Sequence, residues 1–243
     1  MSDVAALAAR EIVLLDAGGT LIGLDYDAVR RAVGAAGAGL DDRALEVAEA
    51  LARRWADAAI RRRLAPRELW NGYFSRVLER AGVEPDAISA ALDALWLANR
   101  RQGLWRRPLP GVHRALEWLH DSGRRLAVVS NAEGQVEGDL RAAGLTGRLE
   151  TVVDSHLVGV AKPDPRIFAI ALDRLGAGPE QAFYVGDVPA FDVEGARRAG
   201  MPAVLIDPHG VHEDCPAVRI ASLADLPALL TADPSEEPMR DPR

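Results

Sequence analysis

The 243-residue sequence is short of several things, and each shortage excludes a class of function. Cys215 is its single cysteine, so no intramolecular disulfide can form and a reducing, cytoplasmic setting is expected. Positive charge is not in excess. With 29 Lys and Arg against 36 Asp and Glu, the net charge of -7 leaves no footprint for nucleic acid. No apolar run is long enough to span a bilayer, and no basic segment precedes an apolar stretch near Met1, so neither a membrane role nor a signal peptide is expected. Lysine is the scarcest charged residue: of the 29 basic residues, 28 are Arg and one is Lys162. A compact ammonium on a flexible stem serves where a planar guanidinium fork does not, so the place of that lysine is informative.

What is present is ordinary for a globular protein with a sizeable core: 49% hydrophobic and 27% charged residues. At about 150 residues per domain the length corresponds to roughly 1.6 domains, which suggests one large domain or a core with a smaller insertion. Glu11–Asp16 is a short apolar run that ends in Ala17-Gly18-Gly19-Thr20, a buried strand followed by a glycine-permitted turn. From about Asp25 to Arg107 the spacing is purely helical, with breaks at Gly34–Gly39, Pro66, Gly82–Pro85 and Pro108–Pro110, which predicts about four helices and no strand. Beyond Pro110, helix and strand alternate. Strands are expected at Arg125–Ser130, near Leu149–Asp154, at Ala182–Asp187 and at Pro202–Asp207, with single helices between them. That alternation predicts an α/β fold, a doubly wound parallel sheet of Rossmann-like type. Residues 1–22 and 108–230 would form the core, 23–107 an inserted helical domain, and the polar, proline-rich 231–243 a disordered tail.

In such sheets ligands bind beyond the carboxyl ends of the strands. Reading those ends in order gives Asp16, Ser130-Asn131, Asp154 and Gly186-Asp187, with Lys162-Pro163 just ahead of a helix. Carboxylates for a cation, a hydroxyl and an amide for anionic oxygens, and one ammonium as counter-charge can converge there. A strand-final Asp is often only a cap or turn residue, but four such ends in order are hard to assign to structure alone.

With these segments in view, the sequence resembles the haloacid dehalogenase superfamily, whose members are mostly phosphatases. The matching segments are Leu14–Leu21, Val128–Asn131, Lys162–Pro165 and Gly186–Gly200, and the helical stretch resembles the four-helix cap inserted after the first motif in one subfamily. The resemblance implies Asp16 as the nucleophile on phosphorus, forming an aspartyl-phosphate, with Lys162 neutralising charge. Thr20, Ser130, Asn131 and the Gly19 turn would hold phosphoryl oxygens, and Mg²⁺ would be held by Asp16, the Gly18 carbonyl, Asp187 and Asp192. A small phosphorylated metabolite would be the partner, and the protein a monomer or homodimer.

One position departs from the pattern. Family phosphatases usually carry a general acid/base Asp two residues after the nucleophile, and here that residue is Gly18. Three readings stay open. The enzyme could be weak or selective, with Glu133, Asp25 or Asp27 as substitute acids set against their plainer role as helix-start residues. It could do other chemistry; but a phosphonatase needs a cap lysine that this chain lacks, and a dehalogenase needs no metal. Or it could be catalytically silent and only bind a phosphorylated ligand or partner. Elsewhere, Arg53-Arg54 and Arg61–Arg63 read as a solvated face with one or two members over the site. Trp55, Trp70, Trp96 and Trp105 read as helix packing. His209, His212 and Cys215 lack a fourth ligand for zinc.

Overall fold

Strand β1 (Ile12–Leu15) is apolar and buried at every position. The computed structural model, which describes residues 3–37 and 39–232, shows why. In chain order, α1 (Asp3–Ala8) and β1 are followed by β2 (Ile22–Leu24), α2 (Tyr26–Val33), α3 (Asp42–Arg61), α4 (Pro66–Ala81), α5 (Pro85–Gln102) and β3 (Trp105–Pro108). There follow α6 (Val112–Asp121), β4 (Arg125–Ser130), α7 (Val136–Ala142), β5 (Leu149–Asp154), α8 (Ser155–Val158) and α9 (Pro165–Leu175). The chain closes with β6 (Ala182–Gly186), α10 (Val193–Arg198), β7 (Ala203–Ile206), β8 (Val218–Ile220) and α11 (Leu226–Thr231). Six strands form one parallel sheet in the order β5-β4-β1-β6-β7-β8. Successive strand residues point to opposite faces, and helices cover both. Val13, Leu15, Val128 and Val185 pack with Leu116 and Leu119 of α6 and Leu226 of α11. Ile12, Leu14, Val129 and Tyr184 pack on the other face with Phe168 and Leu172 of α9. β1 sits centrally between β4 and β6, where the strand order reverses direction, so the crevice beyond its carboxyl end is the natural ligand position.

Helices α2–α5 lie in sequence between β2 and β3 and build a third apolar cluster of their own around Phe74, Val77, Leu78 and Leu95. Their starts are locally encoded. Asp25 Oδ1 accepts from Ala28 N at 2.9 Å, and Pro66 and Pro85 stand in the first turns of α4 and α5, where a missing N–H costs nothing. On α3, Leu45, Ala48, Ala52, Ala56 and Ala59 are buried at spacings of three and four. α4 approaches this face closely at Gly72, where a Cβ would lie 2.0 Å from Trp55 Cη2.

One expectation needs correction. The stretch from Asp25 to Arg107, read as free of strands, ends in β3, which pairs antiparallel with β2 through Ile22↔Pro108 and Leu24↔Trp105. Trp-Arg-Arg-Pro has no alternation of apolar and polar residues, and its partner lies some eighty residues earlier, so nothing local marks it as a strand. Of the expected tail, residues from 233 onward lie outside the described residues, and Thr231 closes α11. Among the described residues no helix is long and apolar enough to cross a membrane.

Candidate active site

At the carboxyl end of β1 the chain makes a tight loop. Leu21 N and Ile22 N both donate to the Ala17 carbonyl, at 2.8 and 2.9 Å, and Asp16 N donates to Val185 O at 2.8 Å. Gly19 is required here. Its φ is +78°, and a Cβ would lie 2.0 Å from Asp187 Oδ2. The Gly19 N–H donates to Ile22 O at 2.8 Å, so this amide closes the loop. Thr20 is buried, and its hydroxyl has no hydrogen-bond partner.

Lys162 reaches this loop end from the segment before α9 and is 4% exposed. Its Nζ donates to Asp16 Oδ1 at 2.7 Å, Asp192 Oδ1 at 2.7 Å and Tyr184 Oη at 2.8 Å, so all three N–H groups are satisfied. Tyr184 donates onward to Val129 O at 2.8 Å. The backbone of Lys162 is clasped by Asn131: Lys162 N donates to Asn131 Oδ1 at 2.7 Å, and Asn131 Nδ2 donates to Lys162 O at 3.0 Å. Both ends of the Asn131 amide thus hold the lysine. Asp192 also ties down the loop after β6, its Oδ2 accepting from Asp187 N at 3.0 Å and Val188 N at 2.8 Å. Gly186 makes room for this carboxylate, since a Cβ there would lie 2.3 Å from Asp192 Cγ.

Asp16, Asp187 and Asp192 are all buried, and each offers an oxygen within 4.8 Å of the others. Arg53 of α3 enters the same space, with Nε 3.1 Å from Asp187 Oδ2 and its NH2 group 3.1 Å from Glu49 Oε1. Glu49 is itself buried and accepts from Tyr26 Oη at 2.7 Å and Tyr73 Oη at 3.0 Å. Burial pushes Asp16 up to about 6, against the pull of Lys162 and with a push from Asp192. Burial likewise pushes Asp187 up to about 8, with Arg53 opposing and Asp16 and Asp192 adding to the rise. Burial disfavours the Lys162 ammonium, yet Asp16 and Asp192 outweigh it and hold its pKa above the ordinary lysine value. When ionised, the three carboxylates outnumber the two cations paired with them, an excess that a divalent cation would offset. Hard oxygen donors gathered in this way fit a divalent cation such as Mg²⁺. Among the described residues this is the one group of three or more His, Cys, Asp or Glu side chains gathered so closely, and His209, His212 and Cys215 are not so gathered.

Above this floor lies a cavity of about 300 Å³, lined by Asp16, Gly18, Ser130, Asn131, Lys162, Asp187 and Asp192 on the polar side. Gly19 and Thr20 do not line it. Trp70, Tyr73 and Phe74 of α4 and Trp105 of β3 supply its aromatic wall. Trp105 leans over Gly18: a Cβ there would lie 3.4 Å from Trp105 Cδ1 and 3.6 Å from Cγ. Asp154 is structural, accepting from Gly134 N at 2.9 Å and His156 N at 2.9 Å. Asp25 caps α2 and Asp27 pairs with Arg30 at 2.7 Å on the surface, whereas Glu133 lines the cavity. Of the arginines singled out in α3 and the turn after it, Arg53 faces the site, and Arg54, Arg62 and Arg63 are exposed. Arg61 pairs with Asp57 at 3.0 Å and with Glu194.

Sequence reasoning passed over Tyr184, Glu49 and the cavity role of Trp105. The first two left a trace: a phenol inside an otherwise apolar strand, and a carboxylate in phase with the buried Leu45, Ala52 and Ala56 of α3.

Residues 11–200 match the family described as haloacid dehalogenase-like hydrolase. The chain is 35% identical to the phosphoserine phosphatase of Thermus thermophilus over 63% of its own length and 61% of that protein's. It is 37% identical to the glyceraldehyde 3-phosphate phosphatase of Methanopyrus kandleri over 55% of its length and 58% of that protein's. The matched region thus spans about three fifths of these relatives. In fold it is similar to Bacillus subtilis YfnB, whose crystal structure has magnesium bound, with a TM-score of 0.66 and 20% identity over 92% of this chain and 99% of that one. With the match covering most of the sheet and the strand ends that carry the acids and the lysine, this chain belongs to the haloacid dehalogenase-like hydrolases.

Proposed function

We propose that this protein hydrolyses a small phosphate monoester through Asp16. The observation that carries the reading is the buried Lys162–Asp16 pair, 2.7 Å apart, beside two further buried carboxylates on the floor of a cavity of about 300 Å³. A buried ion pair at a strand end does little for stability, since desolvating two charges offsets their attraction. It does suit a nucleophile that must be held ionised and aimed. Asp16 attacks phosphorus, the bond from phosphorus to the alcohol oxygen breaks, and the aspartyl-phosphate is then opened by water to return the carboxylate and release inorganic phosphate. Lys162, fixed by Asp192 and Tyr184, balances the charge gathered on Asp16 and the phosphoryl oxygens. Ser130 lines the cavity and offers a hydroxyl to those oxygens. Asn131, which also lines the cavity, serves by holding Lys162. Asp16 and Asp187 would hold Mg²⁺ with the Gly18 carbonyl, and Asp192 would orient them; when bound, the ion supplies Lewis-acid polarisation of the phosphoryl group. On this reading residues 23–107 act as a cap whose α3 and α4 wall the cavity and exclude water.

Gly18 favours a second reading, a protein that binds a phosphorylated ligand without turnover. Phosphate release from 4-nitrophenyl phosphate with Mg²⁺ separates the two, because so activated a leaving group does not need the missing acid. Turnover by wild type above an Asp16→Asn blank is the expected result. Wild type equal to the blank, with phosphate binding retained in calorimetry, would establish the silent protein instead.

A further inference from the structure

The chemistry of the leaving group can be read from what stands over Gly18. A general acid two residues after Asp16 would project toward the bond being broken; here the side chain is absent and the indole of Trp105 occupies that ground, 3.4 Å from where a Cβ would be. Trp105 is one panel of an aromatic wall. Its ring centroid lies 5.7 Å from that of Phe74, 6.1 Å from Trp70 and 6.4 Å from Tyr73. The Tyr73 hydroxyl is tied back to Glu49 at 3.0 Å, so the wall presents ring faces and edges and no phenol. Ile22, Ile60 and Leu69 extend the same lining.

The cations tell against a second anionic group on the substrate. Among the described residues that line the cavity, the positively charged side chains are Arg53 and Lys162, and both are already paired, with Glu49 and Asp187 and with Asp16 and Asp192. A substrate carrying a carboxylate or a second phosphate beside the reacting one would find no free counter-charge. A flat apolar group would find the half-buried rings of Trp70, Tyr73 and Trp105 along one wall of the cavity.

Resting on the reading of Asp16 as a phosphatase nucleophile, we propose that the substrate is a phosphate monoester of a phenol, whose ring lies along Trp105 and which leaves as phenolate without a proton from the protein. The two absences then explain each other. An alkoxide has a conjugate acid about as weak as water and needs protonation to depart, whereas a phenol, like tyrosine, has a pKa of about 10. In the first step the electron pair of the phosphorus–oxygen bond stays with the phenolic oxygen, and Asp16 takes the phosphoryl group. In the second, water attacks phosphorus, the bond to Asp16 breaks, and both water protons end on the released phosphate, as dihydrogen phosphate, which equilibrates with solvent. The first step needs no acid at position 18, and in the second the attacking water gives its protons to the phosphate it forms rather than to a base there.

Three phosphate esters with Mg²⁺ and the full chain test this. Phenyl phosphate carries the ring and the good leaving group, benzyl phosphate the ring with an alkoxide, and n-propyl phosphate neither. Phenyl phosphate is expected to exceed n-propyl phosphate in kcat/KM by at least about 10²-fold, the lower end of what a positioned acid is worth to the alkyl ester. Benzyl phosphate should match phenyl phosphate in KM and fall behind in kcat. Trp105→Ala should lower the preference for phenyl over n-propyl phosphate about tenfold, and Trp105→Phe should keep most of it. Phenylphosphonate, which cannot be hydrolysed, should quench tryptophan fluorescence in wild type more than methylphosphonate does, a readout independent of turnover. The proposal is overturned if n-propyl phosphate is hydrolysed as well as phenyl phosphate in an Asp16-dependent way, or if both Trp105 variants keep the wild-type preference. In those cases the phosphatase reading stands. Alkyl-ester turnover abolished by Glu133→Gln would show that Glu133 supplies the acid and would likewise overturn it. If none of the esters is hydrolysed above the Asp16→Asn blank, the phosphatase reading fails and this inference with it.

Discussion

Lys162 shows how much one residue can carry. It holds two buried carboxylates, 2.7 Å away on either side, and among the described residues no other cation pairs with Asp16. Replacing it by Met, close in length but uncharged, leaves both buried acids without their counter-charge. A loss of about 3–5 kcal/mol is expected, the usual cost of breaking a buried pair from one side, together with loss of turnover. Urea unfolding of Lys162→Met against wild type reads the first; a change below about 1 kcal/mol would mean the acids are far better solvated than their burial implies. Gly19→Ala tests a different kind of residue. Its Cβ would fall 2.0 Å from Asp187 Oδ2, at a φ of +78° that alanine resists, so Asp187 must move. Mg²⁺ affinity by calorimetry should drop at least about tenfold, and an unchanged affinity would remove Asp187 from the ligand set. At this scale the site was legible to the extent that its residues advertise themselves. A sole lysine in an arginine-rich chain and acids at strand ends are visible in the string of letters. Arg53 could not be told from its exposed neighbours Arg54, Arg62 and Arg63, because only the rotation of α3 about its axis decides which one meets Asp187.

Elements were legible wherever period and punctuation agreed. Arg125–Ser130 and Leu149–Asp154 are strands over the spans expected, and Pro165–Leu175 is a helix that starts at its proline and stops at Gly176. β3 and β8 escaped because each is a short strand whose pairing comes from residues far away or from a single edge neighbour. The placement of α3 on the sheet was equally invisible, since it rests on contacts across the chain. Ala190 N donates to Asp57 Oδ1 at 2.6 Å, Arg61 pairs with Glu194, and Arg53 with Asp187. These three hold α3 against the loop that carries Asp187 and the start of α10. Asp57→Ala removes a partner from a half-buried N–H and from Arg61, and should loosen that seam. A rise in KM of about three- to tenfold with kcat little changed is expected, from a cost of about 1 kcal/mol in the closed arrangement. Equal losses in both parameters would place Asp57 in the chemistry rather than in the seam.

At the scale of the whole molecule, site and fold pull against each other. Asp16 and Asp187 have ordinary pKa values near 3.8 when unfolded and are pushed up to about 6 and about 8 in the folded protein. The folded state therefore binds more protons between those limits. The stability these two groups lend without metal is present in full below about 3.8 and is lost as pH rises through about 6 and then about 8. A divalent cation reverses the sign, because it binds the ionised carboxylates and displaces their protons. The rise in Tm on adding Mg²⁺ should accordingly be larger at pH 8 than at pH 5.5. At about 100 times the dissociation constant the stabilisation is about 2.7 kcal/mol, or about 5–10 °C for a chain of this size. Thermal melts with EDTA and with Mg²⁺ at the two pH values decide it, with Asp187→Asn as the control that should lose the difference. Equal shifts at both pH values would mean that the ion binds elsewhere or that these carboxylates are already ionised in the free protein. The expected asymmetry would show that the centre of this sheet is destabilised by its own acids until a cation neutralises them, so that the fold carries the strain and the site gains an ionised, buried nucleophile.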